Sequence, residues 1–191
     1  MLTISYRLKG DDGLNYKKIL SDWVMPIILA IILAVLINRF IFYKVRVPSA
    51  SMYPTIKVGD RIIVTRIYDK TKLKRSDIVV FYSNELKDTL IKRLIGLPGD
   101  EIDIKDNGQV FINGSKSEES YVVYNENLGK QFKVPENKYL FLGDNRAGSW
   151  DARKWDEPYI DRKDIEGKAQ FIVSPFKRLG KFIIGEDAIS H

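Results

Sequence analysis

Two serines separated by a single alanine, Ser49 and Ser51, stand between prolines in the stretch VPSASMYPT, residues 47–55. A serine hydroxyl becomes a nucleophile when a neighbouring base takes its proton. The usual base is missing: the only histidine is His191, the last residue, and the chain has no cysteine. Ser-His-Asp and Cys-His catalysis, and zinc sites built on several histidines, therefore lie outside its chemistry. Covalent hydrolysis here needs a serine or threonine served by a lysine.

A lysine can serve only when neutral. Its ordinary pKa is about 10.4, so near pH 8 only about 0.4% is free base. Lowering that pKa to 8 takes roughly 3.3 kcal/mol of bias against the ammonium form. Apolar burial supplies such a bias, and a nearby cation adds to it. The stretch Thr89-Leu90-Ile91-Lys92-Arg93-Leu94-Ile95 meets the requirement. On a strand, Lys92 shares a face with Leu90 and Leu94, while Arg93 faces the other way with Ile91 and Ile95. The competing reading has Lys92 paired with a carboxylate at a barrel rim. Lys70, Lys72, Lys74, Lys105, Lys116 and Lys130 all have polar surroundings.

These groups need elements to hold them. Trp23 to Tyr43 is an apolar run interrupted only by Asn38-Arg39. As a helix it spans roughly 31 Å, enough for a bilayer core, with Trp23 and Tyr43 suited to the two interfaces. A cleaved signal peptide is disfavoured, since the run exceeds the roughly 7–15 residues of an h-region. The expected division is a tail over 1–22, an anchor over 23–43 and one β domain over 44–191. Asp60-Arg61-Ile62-Ile63-Val64 and Asp77–Tyr82 read as strands, and Leu97-Pro98-Gly99-Asp100 as a type II turn. EIDIKDNGQVFING alternates on both sides of Asn107-Gly108, a hairpin signal. Tyr139–Leu142 runs as a strand into Gly143-Asp144-Asn145. The expected architecture is mainly β and barrel-like.

With 31 Lys+Arg against 25 Asp+Glu among 191 residues, the net charge is +6. Both signs are interspersed, which suits anionic lipid or wall polymers, and no nucleic-acid signature is present. Lys177, Arg178 and Lys181 read as a solvated or lipid-facing basic tail. Asn113-Gly114-Ser115 matches a glycosylation sequon, a tripeptide common by chance. Charge leaves the membrane orientation undecided, with Arg7, Lys9, Lys17 and Lys18 before the run and Lys44, Arg46, Lys57 and Arg61 after it.

Four ordered stretches, PSASMYPT, GDRIIV, KRLIGLPGD and GDNRAGSWDAR, follow the anchor. Together the motifs and anchor, over residues 23–153, resemble a bacterial type I signal peptidase of the small, single-anchor Gram-positive sort. The resemblance implies a signal-peptidase or SOS-repressor type of β domain with no cofactor or metal. Ser51 is then the nucleophile and Lys92 its general base. Ser49 helps the Ser51 N–H hold the oxyanion, and Ser149 orients the lysine nitrogen. Arg93, Asp144, Asp151 and Arg153 form a supporting ion-pair cluster. Val47, Met52, Ile56, Leu90 and Ile91 line shallow pockets that reject large side chains. The substrate lies as an extra strand along TLIKR.

The implied partners are signal peptides of exported preproteins, membrane lipid and the secretion machinery. The implied place is the cell membrane, single-pass, with a cytoplasmic N-terminus and the domain on the outer face. Ala147-Gly148, Leu90 and Ala152 depart from the family pattern at pocket and turn positions. The stretch from Glu101 to Leu142 is too short for the extra β domain of larger members. Two alternatives stay open: a self-cleaving repressor-like Ser/Lys protease, and a membrane-tethered, non-catalytic β module.

Overall fold

The structure, a computed structural model, describes residues 20–180 and 182–189. Most of the expected tail, with Arg7, Lys9, Lys17 and Lys18, lies outside the described residues, as do Lys181 and His191. The chain divides after Phe40 into two units, a helix and a β domain.

A π-helical turn at Leu20–Val24 leads into helix α1, Met25–Phe40. Pro26 stands where the π-helical turn passes into α1, and its missing N–H removes one bond from the helical ladder there. Leu20–Ile37 has a mean hydropathy of 2.5 and is long and apolar enough to cross a membrane. It is apolar all round rather than striped, the pattern of a helix surrounded by hydrocarbon. The helix is shorter at its end than the apolar run. Phe42 and Tyr43, grouped with the anchor in the sequence reading, belong to strand β1, Phe42–Arg46.

Among the described residues the β domain carries ten further strands. They are β2 (Arg61–Arg66), β3 (Ile78–Ser83), β4 (Asp88–Gly96), β5 (Glu101–Ile104) and β6 (Val110–Ile112). Then come β7 (Ser115–Lys116), β8 (Lys130–Lys133), β9 (Lys138–Leu142), β10 (Tyr159–Asp161) and β11 (Ile165–Ser174). One sheet has the order β1-β2-β11-β3-β4-β9-β10 and a smaller one the order β7-β6-β5-β8. The domain is mainly β, as expected.

Local chemistry accounts for the connections. Asp100 N–H donates to Leu97 O across the Pro98-Gly99 turn, and Gly99 has φ +85, the left-handed value that a type II turn demands. Strands β5 and β6 pair Ile102 with Ile112 and Ile104 with Val110, the alternation read from sequence. Two apolar clusters lie among the strands. One gathers Val79, Phe81, Leu94, Ile102, Phe141 and Trp155, with Phe81 and Phe141 stacked at 4.3 Å. The other gathers Val47, Met52, Ile56, Ile62, Val80, Ile91 and Ile172.

Candidate active site

Ser51 lies in the loop that joins β1 to β2. The base of the loop is closed by Val47 N–H to Asp60 O and Gly59 N–H to Val47 O, both 2.9 Å. Met52 and Ile56, one turn apart and joined by an N–H···O bond of 2.9 Å, plunge fully buried into the second apolar cluster. The loop is thus fastened by its own hydrophobic residues, and Ser51 beside them is 7% exposed. Ser49 is exposed, and its Oγ lies 3.4 Å from Ser51 Oγ.

Lys92 occupies the middle of β4, opposite Val79 of β3. Its neighbours Val79 and Leu94 belong to one apolar cluster while Ile91 belongs to the other, so the strand alternates there as expected. The irregularity between Leu94 and Gly96 ends that alternation and turns Ile95 into the first cluster. At 4% exposure, burial brings the Lys92 amine down from its ordinary 10.5 to about 8. Asp151 pulls the value up, Arg153 pushes it further down, and Asp144 pulls it up again, each less than burial does. Among the described residues no carboxylate lies within ion-pair distance of this amine, so the rim-pairing alternative is not what the strand does.

The reason is that both nearby carboxylates are already engaged. Asp144 accepts Arg93 Nε at 2.7 Å, a second bond from Arg93 Nη2, and Thr55 Oγ1 at 2.7 Å. Asp151 accepts Arg153 Nε at 2.8 Å, Arg153 Nη2 at 3.0 Å and Gly143 N–H at 3.0 Å. Burial pushes the Asp151 carboxyl up, but the bonds and charge of Arg153 together with Gly143 N–H leave it below the usual range. Of the expected group of four, Arg93 pairs with Asp144 and Arg153 with Asp151, and all four side chains are buried. The cation that disfavours the charged form of Lys92 is Arg153, distant in sequence, and not the chain neighbour Arg93. Arg93 faces away, stacks 3.9 Å over the Tyr121 ring and donates to Ser76 O at 2.8 Å.

The turn after β9 brings this cluster to the serine loop. A Cβ on Gly143 would lie 2.3 Å from Ser149 Oγ and 2.4 Å from Ser51 O, so only glycine allows the approach. Ser149 is 1% exposed, and its Oγ sits beside Asp151. That Oγ meets hydrogen-bond geometry with no group, Lys92 Nζ included. The orienting bond expected from Ser149 to Lys92 is thus not made in this arrangement.

Four contributors escaped the sequence reading. Asn145 donates its N–H to Ser51 O and its Nδ2 to Ala50 O, both at 3.1 Å. Arg146, 1% exposed, donates Nε to Gly143 O at 3.0 Å and Nη2 to Glu119 at 2.8 Å. Thr55 reaches Asp144. Arg178, expected on a solvated or lipid-facing surface, has its side chain buried against Asp60. Asn145, Arg146 and Thr55 stood inside the quoted motifs, where a buried role for polar types was the available signal.

The expected pocket residues divide. Val47, Met52 and Ile56 are 0–1% exposed and serve as core of the second cluster. Ile91 is 7% exposed and Leu90 half-buried. Strand β9 pairs with β4 only from Arg93 onward, so Asp88–Lys92 carries its ladder on the β3 side alone. The edge proposed for an added strand is open. Among the described residues no group of three or more His, Cys, Asp or Glu side chains is placed to hold a metal.

An apolar helix of membrane-crossing length ahead of a mainly β domain, with a buried serine and a desolvated lysine, defines a class: a membrane-anchored β protein equipped for serine chemistry without histidine. Comparison with known proteins agrees. The family model described as signal peptidase, peptidase S26, matches residues 20–174. A signal peptidase I of Bacillus licheniformis is 39% identical over 179 residues, covering 87% of this chain and 95% of that protein. Signal peptidase I S of Bacillus subtilis (strain 168) is 36% identical, covering 89% and 97%. A crystal structure of a signal peptidase I from Enterococcus faecalis V583 is 34% identical, covering 51% of this chain and 96% of that one, with a TM-score of 0.43.

The chain belongs to the signal peptidase family, peptidase S26, and is a serine peptidase. That membership sets aside the repressor-like and non-catalytic alternatives.

Proposed function

We propose that this endopeptidase removes signal peptides from exported preproteins with Ser51 as nucleophile and Lys92 as general base. The observation that carries the reading is Lys92 itself. It is a buried amine brought to about 8, with no carboxylate of its own, because Asp144 and Asp151 are already bonded to Arg93 and Arg153. A fully paired lysine would stay charged and could take no proton.

In the proposed reaction neutral Lys92 Nζ takes the Ser51 Oγ proton as Oγ bonds to the scissile carbonyl carbon. The oxyanion is met by the Ser51 N–H and the Ser49 hydroxyl. Among the described residues the Ser51 N–H donates to no protein acceptor, and Asn145 holds the carbonyls of Ala50 and Ser51. One such donor is worth ~2.7–4 kcal/mol in the transition state. Protonated Lys92 then gives its proton to the leaving amine as the C–N bond breaks. Water, deprotonated by Lys92, cleaves the acyl ester and frees Ser51.

The preprotein lies as an extended strand against Asp88–Lys92, with successive side chains before the cleaved bond turned alternately to the Leu90 face and the Ile91 face. Small residues at alternate positions fit a site whose other apolar residues are core. The N-terminus is cytoplasmic and the domain faces outward after a single pass.

The test uses Ser51→Ala and Lys92→Met in the full chain with a preprotein substrate in detergent. Both are expected to lose turnover, and a β-lactam-like acylating agent is expected to label Ser51 in the parent. Retained cleavage in either variant overturns the dyad. Protection of the domain from protease inside sealed, right-side-out vesicles overturns the orientation.

A further inference from the structure

Arg178 has no task in the Ser51–Lys92 reaction, yet its surroundings are built. After β11 the chain makes a 3-10 turn at Phe176–Arg178, and Ile172 and Gly180 then exchange backbone bonds of 2.8 and 3.0 Å. That closure fixes the backbone from which Arg178 projects. The side chain is 7% exposed, far from the solvated tail that its neighbours suggest.

The guanidinium reaches the loop that carries Ser51 at two points. Nη2 donates to Thr55 O at 2.9 Å and more weakly to Pro54 O at 3.5 Å. Nη1 lies 3.0 Å from Asp60 Oδ2, off the hydrogen-bond line, and forms an ion pair with a carboxylate that is 2% exposed. Asp60 in turn accepts the Lys57 N–H at 2.8 Å. The other attachments of the loop, Asp144 to Thr55 Oγ1 and Asn145 to the Ala50 and Ser51 carbonyls, come from the turn after β9. Beyond its apolar packing, the serine loop therefore takes polar bonds from two separate parts of the chain, and Thr55 is gripped by both, through its hydroxyl and its carbonyl.

We propose that Arg178 is a positioning residue for Ser51, fixing the Pro54–Asp60 limb of the loop so that the hydroxyl meets the scissile carbonyl in register. The proposal rests on the reading of Ser51 as nucleophile. A planar fork can serve Asp60 and the Thr55 carbonyl together, whereas a lysine ammonium on a flexible stem holds one of them at a time. Misplacing a nucleophile slows the chemical step while leaving substrate contacts along β4 in place.

The test measures kcat and KM on a preprotein, using the full chain in detergent, for Arg178→Ala, Arg178→Lys and the exposed control Lys177→Ala. The expected result is a kcat lower by about 10- to 100-fold in both Arg178 variants, since small displacements of reacting groups cost that much. KM should stay within about twofold. Added guanidinium at sub-denaturing concentration should recover part of the kcat in Arg178→Ala, which loss of folding would not allow. Lys177→Ala should match the parent. A kcat within twofold of the parent in either Arg178 variant overturns the proposal, as does a fall that guanidinium leaves unchanged. If Arg178→Ala does not fold, Arg178→Lys decides alone by its kcat. Retained cleavage in Ser51→Ala would instead remove the dyad reading, separately from the behaviour of Arg178.

Discussion

Thr55 Oγ1 donates to Asp144 Oδ2 at 2.7 Å, and both residues are fully buried. This bond ties the serine loop between β1 and β2 to the turn after β9, although the two are 89 residues apart in the chain. Asp144 keeps its Arg93 bonds when the hydroxyl is removed, so the carboxylate does not become an unpaired charge. Thr55→Val should therefore cost about 1.5–3 kcal/mol, the range for one bond to a charged group. It should also lower kcat more than it raises KM. Thermal unfolding and steady-state kinetics on the same preparation check both. An unchanged melting temperature would mean that the loop is held by its other contacts alone.

The proposed role of Lys92 as the base predicts the pH dependence. The ammonium form can accept no proton from Ser51, so kcat/KM should fall on the acid side with unit slope and an apparent pKa near 8. The folded value lies below the unfolded one, so between about 8 and 10.5 the unfolded chain binds the additional proton and stability rises with pH. Below that window both states are charged and the buried ammonium penalises the fold in full. Lys92→Met should thus stabilise the protein near neutral pH by up to about 3 kcal/mol, at about 1.36 per pKa unit. The gain should vanish above the window. A stability difference that does not change with pH would contradict the assigned burial.

Asp151 and Arg153 act on the same amine with opposite sign. Removing the anion with Asp151→Asn leaves burial and Arg153 less opposed, so the acid limb of kcat/KM should move to lower pH. Arg153→Met should move it to higher pH. Both changes break a buried pair and should cost about 3–5 kcal/mol. The direction of the limb is the informative readout, since destabilisation alone moves neither limb in opposite senses. Shifts of the same sign in the two variants would exclude a Coulombic origin.

The legible parts of the chain are those where one physical signal dominates. Alternation around Lys92 and the Pro98-Gly99 turn translated directly into β4 and the entry to β5. Strand β11 escaped because its inward positions are Gly167 and Ala169 as much as Ile165, which flattens the hydrophobic pattern. The small size is imposed by packing: a Cβ on Gly167 would lie 2.6 Å from Thr65 O of the neighbouring β2. Strand β1 escaped because Phe42 and Tyr43 are as apolar as the helix before them. The motifs marked Ser51, Lys92 and the acidic turn, but local pattern could not say which arginine faces the amine. Arg93 is adjacent in sequence and points away, while Arg153 reaches it through the fold. Arg178 was hidden for the same reason, since tertiary contacts alone distinguish a buried guanidinium from a basic tail.

The open edge of β4 makes a prediction about substrates. Because β9 begins its ladder at Arg93, the backbone groups of Asp88–Lys92 on that side are available to an extended peptide. In an antiparallel or parallel ladder only alternate residues of the incoming strand direct their N–H toward a given neighbour. N-methylation scanned along a short signal-peptide substrate should therefore produce a two-residue period in KM. Methylation at an inward N–H should raise KM by about 5- to 10-fold, as expected for losing one bond of about 1–1.5 kcal/mol. Methylation at the intervening positions should have little effect, because those groups face water. The same scan on Leu90→Pro, which alters the edge itself, should lose the period. A flat response in the parent would mean that the peptide is held by its side chains rather than by the strand edge, and the proposed small-residue preference would then need pockets other than those proposed beside Leu90 and Ile91.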